Sequence, residues 1–196
     1  MNINTLHTKS DDDEIIESFL SGNKNAFNIL VRKYQERIYW VIRKMVLDHD
    51  DADDITQELF LKVHKSLKDF RGESKFFTYM YRIAINLSLN HLAKTKKNNS
   101  RSVNFENTNV SSLDLNADEA MDANEKTKLL EEAIESLPVQ QRAVFNMRYY
   151  ENLSYDEISA IMGKSTGGMK ANYFHAIKNI EKYLKKNRLF EVMEQF

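Results

Sequence analysis

The sequence predicts an all-α protein: two small helical domains joined by a flexible acidic linker, with a helix-turn-helix in the second. Three observations predict it. The 196 residues include one Pro and five Gly, too few for a chain of strands and tight turns. Apolar residues recur at three-and-four spacing along several long segments. Between two such blocks lies "KKNNSRSVNFENTNVSSLDLNADEAMDANE", which is rich in Asn, Ser and Asp and has no apolar period.

In chain order, Asp11–Ser21 reads as a short helix closed by Gly22. Lys24–Leu47 reads as a long amphipathic helix, with Phe27, Leu30, Val31, Tyr34, Ile38 and Val41 inward. "DHDDADD" breaks and caps the chain. A third helix is expected from about Asp51 to Phe70, with Ala52, Ile55, Leu59 and Val63 buried. "RGES" turns the chain, and Ser74 is a candidate cap for a fourth helix reaching about Lys96. In that helix Phe76, Met80, Ile83 and Leu87 form the expected core side, with Tyr81 a further candidate. The domains expected are 1–96, a linker over 97–124, a second domain over 125–187 and a tail over 188–196. In the second domain Leu129, Leu130, Ala133, Ile134 and Leu137 share a face, and Pro138 suits the first turn of the next helix.

Composition excludes several classes. There is no Cys, hence no disulfide framework, thiolate metal site or cysteine nucleophile. No apolar run approaches the roughly 18 residues of a membrane span, and the polar N-terminus lacks a signal-peptide core. An intracellular, cytoplasmic protein is expected, with no membrane insertion of its own. No nucleotide-binding glycine loop, paired metal ligands or nucleophile–base arrangement stands out, so no enzyme, cofactor or metal site is expected. The five His are scattered. Formal charge is −1, unevenly spread. Lys164–Arg188 holds seven Lys or Arg against Glu181 alone, whereas Ser100–Asn124 holds one Arg against five acids. That asymmetry suggests a nucleic-acid surface on a chain that binds DNA weakly by itself.

"LSYDEISAIMGKSTGGMKANYFHAI" carries the clearest punctuation. Ser154 with Glu157 makes a capping box. Ile158, Ile161 and Met162 give an apolar side. Gly163 permits a left-handed turn, and Ser165 or Thr166 caps a second helix with Met169, Tyr173, Ala176, Ile177, Ile180 and Leu184 inward. Helix, glycine turn and helix at this spacing is a helix-turn-helix, whose second helix enters the major groove N-terminus first. The opposite face carries Gly167, Ala171, Phe174 and Lys178, flanked by Lys170, His175 and Lys182. Gly167 and Ala171 would let the backbone approach a duplex, Phe174 would meet thymine methyls, and Lys170 or Asn172 would reach base edges. The alternative is that Gly167 and Gly168 pack against a neighbouring helix and Phe174 covers the domain surface.

In the first block, the face opposite the buried stripe of the third helix holds Asp54, Gln57, Glu58, Leu61 and Lys65. An apolar Leu61 centred in a polar, partly acidic face suits a basic, partly apolar partner, or is one stray leucine on a solvated face. The following helix, "SKFFTYMYRIAINLSLNHLAK", places Tyr79, Arg82, Asn86 and Asn90 on one side. Aromatics interleaved with Asn and Arg suit single-stranded nucleic acid.

At these residues the chain resembles a sigma factor of the extracytoplasmic-function (ECF) group of the sigma-70 family. "DDADDITQELFLKVHKSLKDFRGESKFFTYMYRIAINLSLNHL" is similar to the family's second conserved region, and "LPVQQRAVFNMRYYENLSYDEISAIMGKSTGGMKANYFHAIKNIEKYL" to its fourth. "GGMKANYFHAIKNIEKYL" in particular resembles members from Bacteroidetes-type bacteria. The resemblance implies that Asp54, Gln57, Glu58 and Leu61 grip bacterial core RNA polymerase. It implies that the loop with Arg71 and Ser74, then Phe77, Tyr79, Arg82, Asn86 and Asn90, meet the minus-ten promoter DNA. It implies that Lys164, Ser165, Thr166, Gly167, Lys170, Ala171, Asn172, Phe174, His175 and Lys178 meet the minus-thirty-five element. The linker would thread toward the polymerase interior. An anti-sigma factor is a further implied partner. Two departures stand out: Tyr79 occupies a place often held by Trp, and the recognition helix is less Arg-rich than usual. The alternative function is a stand-alone helix-turn-helix regulator with an N-terminal helical interaction domain.

Overall fold

The computed structural model describes residues 7–101 and 123–187. Among these there are eight α-helices and no strand. The chain divides into two compact units, Met1–Leu92 and Ala93–Phe196. Most of the expected linker and the whole tail "RLFEVMEQF" lie outside the described residues.

The first unit begins with α1 (Asp12–Leu20), capped by the Asp11 side chain, which accepts from the Asp13 N–H. Gly22, at φ +102, makes the turn that ends it. α2 (Lys24–Val46) buries Ala26, Phe27, Leu30, Tyr34, Ile38, Val41, Ile42, Met45 and Val46. This is the expected stripe with one change: Val31 is only half-buried. α3 (His49–Ser66) is capped by Asp48, which accepts from the Asp51 N–H at 2.9 Å. It starts earlier than expected and stops earlier. Leu67–Asp69 forms a 3-10 turn that buries Leu67 completely, and the chain then leaves toward the loop.

α4 (Phe76–Arg101) opens one residue beyond the position that Ser74 would cap and runs past the expected end at Lys96. Its first turns bury Phe76, Met80, Tyr81, Ala84, Ile85, Leu87 and Ser88. Ile83, expected in the core, is only half-buried. The buried arc centres nearer Ala84, and Ile83 lies at its edge. Each fully buried Leu, Ile or Met contributes about 1.5–3 kcal/mol, so Ile15, Leu30, Ile38, Ile42, Met45, Leu59, Leu67, Met80 and Ile85, all at 0% exposure, carry much of the unit's stability.

The second unit packs α5 (Ala123–Glu135), α6 (Val139–Tyr149), α7 (Tyr155–Met162) and α8 (Thr166–Lys186). Its core gathers Ala133, Ile134, Leu137, Phe145, Ala176 and Ile180, with Leu130, Tyr173, Ile177, Tyr183 and Leu184 against it. Pro138 sits at the cap position of α6, immediately before its first turn. Buried Arg142 donates to the Glu135 carbonyl at 2.8 Å, closing the end of α5. Burial holds its guanidinium below the usual range.

Polar ties add to the core of the first unit. Asp12 receives Lys33 Nζ at 2.7 Å and the Tyr34 hydroxyl at 2.6 Å, and Lys33 also donates to the Ser10 carbonyl. These bonds pin the start of α1 to α2. Burial first, and then the Asp12 carboxylate, push the Tyr34 phenol well above its ordinary value. The unfolded phenol ionises near pH 10. Stability from this contact is therefore whole below about pH 10 and is lost as pH rises beyond it. Tyr34→Phe is expected to cost about 1 kcal/mol at neutral pH and to flatten the alkaline fall. Urea unfolding at pH 7 and above pH 10 checks both; an equal alkaline fall in both proteins would refute the assignment.

Candidate nucleic-acid and polymerase interfaces

The outward face of α3 follows from its buried one. With Ala52, Ile55, Leu59 and Val63 held inward, Asp54, Gln57, Glu58 and Leu61 fall together on the solvent side, at three-and-four spacing. All four are exposed, Leu61 by 64%. Glu58 meets Lys62 at 3.2 Å, one turn on. The helix is anchored at its start, where His91 Nε2 of α4 lies 2.8 Å from Asp51 Oδ2. The result is a polar, partly acidic face with one projecting apolar side chain.

The expected minus-ten residues divide into three groups. Arg71 and Ser74 are exposed on the loop that Gly72 turns at φ +69. Arg82, Asn86 and Asn90 are exposed along one side of α4. Tyr79 lies at the edge of that side and is half-buried: its ring is 5.1 Å from Phe70 and 6.2 Å from Phe76. Its hydroxyl lies 2.6 Å from Ser66 Oγ. Ser66 gives its one proton to the Lys62 carbonyl at 2.8 Å, so Tyr79 is the donor in that pair. Phe77 is separated from Arg82 and Asn86 by about half a helical turn. It points to α2, where it stacks near Tyr34 and is covered by Arg37, whose guanidinium carbon is 3.6 Å from the ring centre. Arg37 lies forty residues away in sequence, so no local pattern marked it.

The helix-turn-helix has the expected punctuation. Ser154 and Glu157 complete a reciprocal capping box, and Gly163 is left-handed at φ +63. Ser165 caps α8 by accepting from the Gly168 N–H at 3.2 Å. Thr166 donates to Asp156 at 3.0 Å and ties the start of α8 to the start of α7. Lys164 donates to Gln140 of α6. The two glycines differ. A Cβ on Gly168 would stand 3.2 Å from Ser165 Oγ, whereas a Cβ on Gly167 would meet nothing within 4 Å. Neither packs against a neighbouring helix.

Gly167, Lys170, Ala171, Phe174, His175 and Lys178 form the exposed face of α8, with Phe174 58% exposed. Lys178 lies 6.0 Å from the Phe174 ring and bonds Glu181 at 2.8 Å. That bond holds the Glu181 carboxyl below its usual range. Asn172, expected to reach outward, is half-buried and donates to the Gly168 carbonyl at 2.9 Å. An i−4 carbonyl is its nearest acceptor, so the amide folds back on its own helix. Tyr155 adds an aromatic that the sequence left unmarked: Arg148 and Lys170 stand 5.3 and 5.9 Å from its ring centre. Among the described residues, no group of three or more acidic or His side chains is arranged to hold a metal. No described helix is long and apolar enough to cross a membrane.

The comparisons with known proteins agree with this layout. Residues 30–98 match the family model for sigma-70 region 2, and residues 127–180 match that for sigma-70 region 4. The RNA polymerase sigma-H factor of Pseudomonas aeruginosa is 34% identical over 184 residues, covering 90% of this chain and 95% of that protein. The ECF RNA polymerase sigma-E factor of Escherichia coli is 33% identical over 177 residues, covering 87% and 92%. Two solved structures share the fold. The Bartonella quintana sigma factor RpoE, in complex with the anti-sigma factor NepR, superposes with a TM-score of 0.62 at 20% identity, covering 83% of this chain and 98% of that one. CnrH, in complex with the cytosolic domain of CnrY, gives 0.62 at 19% identity, covering 89% and 97%. With an exposed acidic face in the first matched region, a helix-turn-helix in the second, and full-length relatives at this identity, the chain belongs to the ECF group of the sigma-70 family of RNA polymerase sigma factors.

Proposed function

We propose that the three exposed faces divide the work of initiation among themselves. A sigma factor directs RNA polymerase to promoters and is not itself an enzyme. In this chain the α3 face of Asp54, Gln57, Glu58 and Leu61 would hold core polymerase. The loop at Arg71–Ser74 and the outward side of α4 would hold the opened minus-ten strand. The outward side of α8 would read the minus-thirty-five element. The observation that carries the reading is the start of α8. Gly167 is bare although nothing inside the protein crowds it, and exposed Lys170, Phe174 and His175 follow it. An external surface that approaches the backbone closely, such as a major groove, accounts for that combination.

Charge explains the order of events. At a net −1 the free chain gains little from phosphate neutralisation, so docking on polymerase precedes tight promoter binding. Opening then proceeds by capture: unstacked bases exchange their neighbours for protein contacts, and the binding energy offsets the cost of melting. The site of action is the cytoplasm, where core polymerase is found. An anti-sigma factor that covers these faces is a fitting regulator, since both structural neighbours were solved with one or with the cytosolic domain of a partner.

Transcription by core polymerase on a promoter library, with and without the chain, tests the whole reading; unchanged start sites would overturn it. Glu58→Arg is expected to weaken core binding roughly hundredfold, about 3 kcal/mol, with an unchanged melting temperature; normal pull-down of polymerase would remove the α3 assignment. Lys170→Ala is expected to weaken upstream-element binding about tenfold and to leave core affinity intact, as read by footprinting. Gly167→Ala should raise stability by about 0.5 kcal/mol yet weaken the same footprint; a stabler protein with a full footprint would mean no close approach there. Asn86→Ala probes strand opening more cleanly than Tyr79→Ala, because Tyr79 also packs on Phe70 and bonds Ser66. Permanganate reactivity about tenfold lower than the parent's is expected.

A further inference from the structure

At the end of α3, one hydroxyl holds another in a way that packing alone does not call for. The Tyr79 ring stands 5.1 Å from Phe70 and 6.2 Å from Phe76. A phenylalanine at position 79 would make the same ring contacts. The hydroxyl adds a bond that leaves the helix, to Ser66 Oγ of α3 at 2.6 Å. Ser66 has already given its proton to the Lys62 carbonyl at 2.8 Å, so its oxygen accepts and Tyr79 donates. At 2.6 Å the bond is at the short end for two oxygens. The ring is thus restrained from both sides, by its own backbone on α4 and by Ser66 on α3. Tyr79 is nevertheless half-buried, so part of it meets solvent. It lies toward the same side of α4 as Arg82, Asn86 and Asn90, which follow it by three, seven and eleven residues.

We infer that Ser66 is a positioning residue for strand opening: it holds the Tyr79 ring in the orientation in which an unstacked base meets it. This rests on the minus-ten reading of α4 above and adds to it a residue that itself touches no DNA. Without the bond, a half-exposed ring has more rotamers open to it, and a base that stacks on it must first arrest it. Ordering a side chain on binding costs affinity, and a bond made beforehand removes that cost. Stacking of a base on an aromatic ring is sequence-tolerant. Ser66 would therefore govern how well an opened strand is held, and would not choose which sequence opens. The anchor also sits on the helix that carries the proposed docking face. Ser66 bonds the Lys62 carbonyl, and the Lys62 ammonium pairs with Glu58 at 3.2 Å. In that reading, a polymerase that holds α3 also steadies the anchor of Tyr79.

The test uses holoenzyme reconstituted from the full chain and bacterial core polymerase. Permanganate reactivity on a promoter recovered from the library measures opening, and titration with labelled single-stranded DNA of mixed sequence measures capture. Melting temperature and core affinity are measured beside them. Ser66→Ala is expected to lower opening and capture about fivefold at unchanged core affinity, and Ser66→Thr, which keeps the hydroxyl, to restore both. Tyr79→Phe should show the same loss as Ser66→Ala. In the Tyr79→Phe background, Ser66→Ala should cost nothing further. Opening and capture equal to the parent's in Ser66→Ala overturn the inference. So does a full additional loss in the Tyr79→Phe background, which would make Ser66 matter to α3 and not to Tyr79. So does a loss that Ser66→Thr leaves in place. If Ser66→Ala does not fold, Tyr79→Phe is read by itself, and opening equal to the parent's again overturns it. Asn86→Ala separates the two readings: if only Ser66→Ala is neutral, this inference alone falls; if both are neutral, the minus-ten reading falls with it.

Discussion

Leu59 and Val63 of α3 are fully buried, and their burial decides where Glu58 and Leu61 point. The same holds for Met169, Ala176 and Ile180 in α8, whose burial sets Lys170, Ala171 and Phe174 outward. α3 and α8 each have one apolar stripe to remove from water. A residue at about 100° per step has no freedom to choose its face once that stripe is packed. The proposed binding faces are thus the reverse sides of the cores. A core substitution that rotated α3 or α8 slightly would move every outward side chain with it.

Rigidity at those faces comes from backbone groups that have partners. Asp48, Ser154 and Ser165 each cap a helix that carries a proposed face or supports one. The Thr166–Asp156 bond locks the two helices of the helix-turn-helix at their starts. Within this closed network Gly168 and Gly167 have different reasons for lacking a side chain. Gly168 leaves room for the capping oxygen of Ser165, and Gly167 leaves room for nothing inside the protein. The first is a packing requirement and the second points to a partner.

Electrostatics divides the labour in the same way. An acidic face on α3 and a basic face on α8 coexist in a chain of net −1. In the proposed reading each would attract its own partner without making the whole molecule adhere to nucleic acid. Several cations are already engaged: Lys33 with Asp12, Lys62 with Glu58, and Lys178 with Glu181. Such exposed pairs add little stability, but they lower the charge available to non-specific DNA.

The sequence by itself determined what depends on neighbours a few residues apart. The helical class, the stripes of α2, α3 and α8, the capping box at Ser154 and the left-handed Gly163 are all local, governed by helical period and by hydrogen bonds three or four residues away. The residues of the α3 face and most of the α8 face were legible for that reason. The fold-back of Asn172 onto the Gly168 carbonyl was not legible, because a side chain that can reach outward can equally bond a carbonyl one turn away. Only the tertiary structure decided what depends on distant partners. It set Phe77 under Arg37, Tyr79 against Ser66 and Phe70, and Asp51 against His91. Sequence periodicity assigns a residue to a face of its own helix, but which foreign side chain meets that face follows from how the helices pack.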